Sequence, residues 1–211
     1  MTAVQGYVGS SGPVTTATPG VTIRLGNTGE VVVQELHGRY YETTFRGKQY
    51  WASNPTGVTT VAFTSGTTTA LLGVSVANPI GSTVNLVINK VGIAFPVIDT
   101  TVNTALLAVG YNGSTNVTHT TALTVRSGLV GTGASGFGLA DASFTYPTAP
   151  NTLVQLASMP SATTLPGISL YDLEGSIILP PGGYACVITS AASPASGFQA
   201  SIAWEEISTV S

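Results

Sequence analysis

The chain has 211 residues, and only 7% of them are charged, against about 25% in ordinary soluble domains. Its formal net charge of -3 comes from nine carboxylates against six Lys and Arg, two of them lysines, which excludes a protein that wraps nucleic acid through clustered cations. Ser, Thr, Gly or Asn interrupts every apolar run well before the ~18 residues of a spanning helix, so no membrane segment is expected despite a 43% hydrophobic fraction.

Residues 1–20 are rich in Gly, Ser, Thr and Pro, too poor in large side chains to build a core, and read as an extended arm. This stretch also lacks the cationic start and continuous apolar run of a secretory leader. Val21 to Leu25 and Glu30 to Leu36 flank Asn27-Thr-Gly29, the chemistry of a tight reversal, which predicts a first hairpin.

Residues 36–51 read LHGRYYETTFRGKQYW. Here Arg39, Arg46 and Lys48 mingle with Tyr40, Tyr41, Phe45, Tyr50 and Trp51, the composition that protein interfaces favour. Glu35 and Glu42 dilute the positive charge, which disfavours a nucleic-acid surface. The segment 21–56 is therefore expected to be a hairpin plus an attachment surface, and residues 57–211 the main domain.

That domain shows period-two alternation, the signature of strands with one face buried. Leu72, Val74 and Val76 share one parity, as do Ala142, Phe144 and Tyr146, and Phe198, Ala200, Ile202 and Trp204; each set predicts a half-buried strand. Val84 to Phe95 and Ala105 to Tyr111 are continuous Val, Ile and Leu runs, expected to be buried on both faces. Asn112-Gly113 signals a hairpin, Val117 to Arg126 and Phe137 to Tyr146 follow, and Pro180-Pro-Gly-Gly183 turns the chain into its last two strands. No window combines helical periodicity with caps, so at most one short helical turn is expected. The chain reads as all-β, an antiparallel two-sheet sandwich of jelly-roll type behind the arm and hairpin.

Reactive chemistry is sparse. Gly131-Thr-Gly-Ala-Ser-Gly136 has G-x-G-x-x-G spacing, but no helix pattern follows it, so it reads as a loop between strands. His37 and His119 lack metal-ligand spacing, and neither a metal nor a cofactor is expected. Cys186 sits within an apolar run and reads as a buried small hydrophobe. The close carboxylate pairs are Asp172 with Glu174, on one side of a strand, and Glu205 with Glu206, on opposite faces; they are the basis for a glycan-cleaving reading. A carbohydrate-binding reading would use Trp51, Tyr111 and Tyr146 as platforms with Asn112 and Asn116 beside them.

The passages GKQYWASNPTGVTTVAF, LLGVSVANPIGSTVNLVINKVGIAF and GSIILPPGGYACVITSAASPASGFQASIAWEEI together resemble jelly-roll virion proteins of tailed bacteriophages, with the trimeric cement or decoration proteins of phage heads the nearest functional group. The resemblance spans most of residues 47–207. It implies a non-enzymatic β-sandwich that trimerises, binds the major capsid protein on the outside of an icosahedral shell, and is made in the cytoplasm of a bacterial host. The alternative it leaves open is a glycan-binding jelly roll of a phage tail or head fibre, used in host adsorption.

Overall fold

A computed structural model describes residues 5–6, 21–22, 38–64, 71–99, 101–133, 135–159, 168–195 and 197–209. The chain divides into two units, Met1–Arg39 and Tyr40–Ser211. In the first, β1 (Gln5–Gly6) pairs antiparallel with β2 (Val21–Thr22). The hairpin expected over Val21 to Leu36 lies mostly outside the described residues.

The second unit starts with one helical turn, α1 (Tyr41–Phe45), and continues as strands. These are β3 (Gln49–Ser53), β4 (Leu71–Ala77), β5 (Val84–Ala94), β6 (Asn103–Tyr111), β7 (Thr118–His119), β8 (Ala122–Leu123) and β9 (Arg126–Ser127). Then come β10 (Leu139–Thr145), β11 (Asn151–Met159), β12 (Ser169–Leu179), β13 (Gly183–Thr189) and β14 (Gln199–Ser208). One sheet has the order β11-β6-β13-β4-β10-β7, with β8 also on β10, and the other has the order β12-β5-β14-β3-β9. Every pairing within these sheets is antiparallel.

The pairings have a simple logic. β3 pairs with β14, β4 with β13, β5 with β12, and β6 with β11. The chain is thus one long antiparallel ribbon, outbound through β3 to β6 and returning through β11 to β14, rolled until β5 meets β14 and β6 meets β13. This is the jelly roll that the strand count pointed to. The stretch from Asn112 to Pro150 is inserted at the far end of the ribbon, and its β10 extends the first sheet beyond β4.

Two hydrophobic layers result. Between the sheets lie Val74, Val76, Leu107 and Val187 from one side and Leu86, Ile88, Val91, Ile202 and Trp204 from the other. A second cluster of Leu71, Leu106, Phe144, Tyr146, Tyr184, Cys186 and Ile188 covers the opposite face of the seven-stranded sheet, with Val117 and Phe63 packed on it. Tyr146 stacks on Tyr184 at 4.0 Å between ring centroids. Burial pushes the Cys186 thiol up to about 12, leaving it an inert apolar group.

This second layer corrects the expected half-burial of β4. Leu71 and Ala77 are as buried as Val74 and Val76, though they face the other way, whereas Ala142, Phe144 and Tyr146 are buried and alternate with the partly buried Ser143 and Thr145 as expected. β14 keeps its parity, with Ala200, Ile202 and Trp204 all buried. Both-face burial holds for β5 and for most of β6. Asn112-Gly113 closes no hairpin, because β6 is already flanked by β11 and β13; the Asn112 side chain instead accepts the Ser114 N–H at 3.0 Å in a local turn.

Candidate functional site

The aromatic and basic segment packs onto the outer face of the five-stranded sheet. Two features of its sequence put it there. Gln49, Trp51 and Ser53 alternate with Tyr50 and Ala52, so β3 sends Tyr50 and Ala52 into the core and Trp51 outward. The preceding residues close one helical turn, in which Thr44 and Arg46 N–H groups bond to the carbonyls of Tyr40 and Glu42.

That turn is tied to the sheet by polar contacts. The Tyr40 hydroxyl donates to Asp172 Oδ1 on β12 at 2.7 Å, and Lys90 Nζ on β5 lies 3.8 Å from Asp172 Oδ2 and 5.0 Å from the centre of the Tyr40 ring. Beneath them Asn89 Nδ2 donates to Gln49 Oε1 at 2.9 Å, and both amides are buried. Asn89 is the extra residue of a bulge, since Lys90 pairs with Ala203 while Ile88 pairs with Trp204. An exposed ion pair contributes about 0–1 kcal/mol, so the hydroxyl bond and the buried amide pair do more of the anchoring.

Alongside its charged side chains the segment presents an apolar stack outward. Tyr41 and Phe45, four residues apart, stack at 5.9 Å between ring centroids and are 45% and 48% exposed. Arg46 Nε bonds to Glu42 Oε1 at 2.6 Å, so that pair neutralises itself. Beyond Trp51 the same sheet face carries Leu170, Ile178 and Ile207, all substantially exposed, beside an open groove of about 350 Å³ lined by Ser53, Gly92, Leu170 and Ser201.

Arg39, Tyr41, Phe45, Arg46, Lys48 and Trp51 are exposed and Tyr40 half-exposed. Tyr50 is not a surface residue: it is 4% exposed and stacks on Trp204 at 6.1 Å. Leu170 and Ile178 on β12 and Ile207 on β14 carry no signal in the sequence, because in Ser169–Leu179 the alternation marks Tyr171 and Leu173, on the opposite parity, as the apolar face.

The residues of the carbohydrate reading are scattered. Trp51 lies on the five-stranded sheet, and Tyr111, exposed, ends β6 in the other. Tyr146 is 1% exposed inside the second hydrophobic cluster and presents no platform, because β10 turns it toward Tyr184. Asn116 accepts the Ile80 N–H through Oδ1 at 2.9 Å.

Among the carboxylates, Asp172 and Glu174 are both exposed, at a bulge where Glu174 takes φ 53° and donates its N–H to Asp172 Oδ1 at 2.9 Å. Glu205 points outward, and burial raises its pKa. Glu206 points inward and is 4% exposed, accepting the Gly138 N–H at 3.0 Å and the Trp204 indole N–H at 3.3 Å. His119 Nδ1 sits 3.6 Å from the fully buried Asp141 Oδ2, while His37 lies outside the described residues. No cluster of three or more His, Cys, Asp or Glu occurs among the described residues.

No family model matches the chain, and no curated protein or solved structure matches it either.

Proposed function

We propose that this chain is a non-enzymatic structural protein of a virion, a cement or decoration protein that binds the outside of a tailed-phage head as a trimer and stabilises the shell. The observation that carries this reading is the outer face of the five-stranded sheet, where Trp51, Leu170, Ile178 and Ile207 stand exposed beside the Tyr41–Phe45 stack. Exposed apolar area of this kind marks a surface that works by being covered.

Three further features support it. The sequence carries so little charge that few ions must be stripped of water at any contact. β11 is an edge strand without a single charged residue, and it exposes Leu153 and Val154, whereas natural monomers guard long edges with charge or proline. The jelly roll with its rolled-ribbon pairing agrees with the resemblance to phage virion proteins.

The mechanism is mass action. A protein that binds the assembled shell but not its free subunits stabilises the shell by its binding free energy, and a trimer multiplies weak contacts through effective concentration. The test is co-sedimentation of the purified chain with empty phage heads and with unassembled capsid protein. Saturable recovery with heads alone is expected, and absence from the head pellet at every concentration would reject the reading.

A further inference from the structure

Asn112-Gly113, the chain's one Asn-Gly pair, closes no hairpin, and the fold leaves its chemistry unused. Strand β6 ends at Tyr111, and the Asn112 N–H makes the last bond to the sheet by donating to the Gly182 carbonyl at 3.0 Å. Past that bond the chain leaves the sheet: Asn112 is half-buried, and residues 113–116 are exposed. The Gly113 N–H has no hydrogen-bond partner among the described residues, so its nitrogen is held in no ladder.

The Asn112 side chain is held at its oxygen alone. Oδ1 accepts the Ser114 N–H at 3.0 Å and the Ser114 hydroxyl at 2.8 Å, while Nδ2 donates to no group among the described residues. Two donors on Oδ1 polarise the Cγ carbonyl, and they hold a charged oxygen more tightly than a neutral one, as an oxyanion hole does. They therefore favour addition at Cγ over the resting amide. Gly113 supplies the other requirement, a backbone nitrogen with no side chain beside it; a Cβ there would stand 2.7 Å from the Tyr111 hydroxyl.

The other described asparagines lack one part or the other. Asn54 and Asn78 precede prolines, which have no N–H to lose. Asn116 has its Oδ1 on the Ile80 N–H at 2.9 Å, but the residue after it is the buried, β-branched Val117. The rest lie in β5, β6 and β11, where the ladder keeps the backbone extended.

We propose that Asn112 is a site of self-modification, at which the side-chain amide is lost through a cyclic imide and replaced by a mixture of aspartate and isoaspartate, with Ser114 promoting the step. A base in the solvent removes the Gly113 amide proton. The nitrogen's electron pair forms a bond to Asn112 Cγ, and the carbonyl electrons move onto Oδ1 in front of the two Ser114 donors. When the carbonyl re-forms, the Cγ–Nδ2 bond breaks, and Nδ2 takes a proton from solvent and departs as ammonia. Water then adds to one of the two imide carbonyls. Breaking the bond from nitrogen to Cγ leaves an aspartate at position 112, and breaking the bond from nitrogen to the main-chain carbonyl carbon leaves isoaspartate, whose main chain is one carbon longer. Either product adds one negative charge to a chain of formal net charge -3, on an exposed loop beside the Gly182 turn. This chemistry is independent of the sheet face proposed to meet the shell.

The test incubates the purified full-length protein for several weeks at neutral and at alkaline pH. Anion exchange follows the added charge, and fragmentation of the tryptic peptide 91–126, with labelling by an isoaspartate-specific methyltransferase, locates and identifies the products. Conversion is expected at Asn112, with both products present and a faster rate at alkaline pH, while Asn116 in the same peptide keeps its amide. Ser114→Ala removes the hydroxyl donor and should slow conversion about two- to tenfold. Gly113→Ala should slow it on the order of tenfold. An Asn112 amide that survives incubation overturns the proposal, as does aspartate without isoaspartate, which would mean direct hydrolysis. So does a Ser114→Ala protein that converts as fast as the wild type. Ser114 and Gly113 are exposed and Tyr111 is 60% exposed and free to swing aside, so both variants keep the fold.

Discussion

The Glu206 carboxylate accepts the backbone N–H of Gly138 at 3.0 Å inside the sandwich, next to the indole of Trp204. The G-x-G-x-x-G stretch leads into this contact. A Cβ on Gly136 would stand 2.5 Å from Glu206 Oε1, and one on Gly138 would stand 3.0 Å from the buried Trp204 ring. Gly138→Ala should therefore destabilise the fold by about 1–3 kcal/mol through overpacking. In a domain of this size that lowers Tm by about 2–4 °C per kcal/mol, readable by calorimetry. An unchanged Tm would mean that the loop yields freely.

Glu205, one residue earlier, faces outward, and burial raises its pKa. A raised carboxyl pKa means that the folded state holds the proton more tightly than the unfolded state. The stabilisation is present at low pH and is lost as pH rises through the folded value. Glu205→Gln should thus raise Tm at pH 7 and leave it nearly unchanged at pH 4, which thermal unfolding at the two pH values would check.

His119 runs the other way. Its pKa is lowered, first by burial, with the Asp141 carboxylate opposing the shift. The folded state resists protonation, so stability is full above the unfolded pKa of about 6.5 and falls as pH drops below it. His119→Gln should flatten the stability curve between about pH 5 and 7 relative to wild type. The difference between the two proteins isolates His119 from His37, which both retain. Parallel curves would show that His119 titrates alike in both states.

Tyr40→Phe deletes the hydroxyl that reaches Asp172 and keeps the ring under Lys90. The global cost should be about 0.5–1.5 kcal/mol at most. The local effect should be larger: hydrogen exchange at the Thr44 and Arg46 amides of the helical turn should speed up while that of β14 stays as it was. Equal exchange in the turn would mean that the bond does not hold the segment.

Parts of this arrangement were legible in the residues and parts were not. Phe198, Ala200, Ile202 and Trp204 gave the inner face of β14 outright, because a sheet with one wet face forces strict alternation. The same parity continues to Glu206, but a carboxylate at an inward position reads as a strand end, and the Gly138 N–H that satisfies it lies 68 residues away. For β4 the alternation was misleading, since Tyr146, Tyr184 and Phe144 bury its second face with a cluster of their own. Composition alone marks Tyr50 as a surface aromatic, whereas its parity with Ala52 is what turns it into the core. The pairing of β3 with β14 and β4 with β13 left no local trace, as contacts between distant strands are written in no single window.

The claim that this chain works by assembly rests most heavily on self-association, and light scattering of the purified full-length protein across a range of concentrations tests it most directly. The account predicts a mass three times that of the 21.4 kDa chain, independent of concentration, and a fall to the single-chain mass when Leu153 and Val154 on the edge strand β11 are both replaced by Lys. A wild-type protein that stays monomeric at every concentration would contradict it.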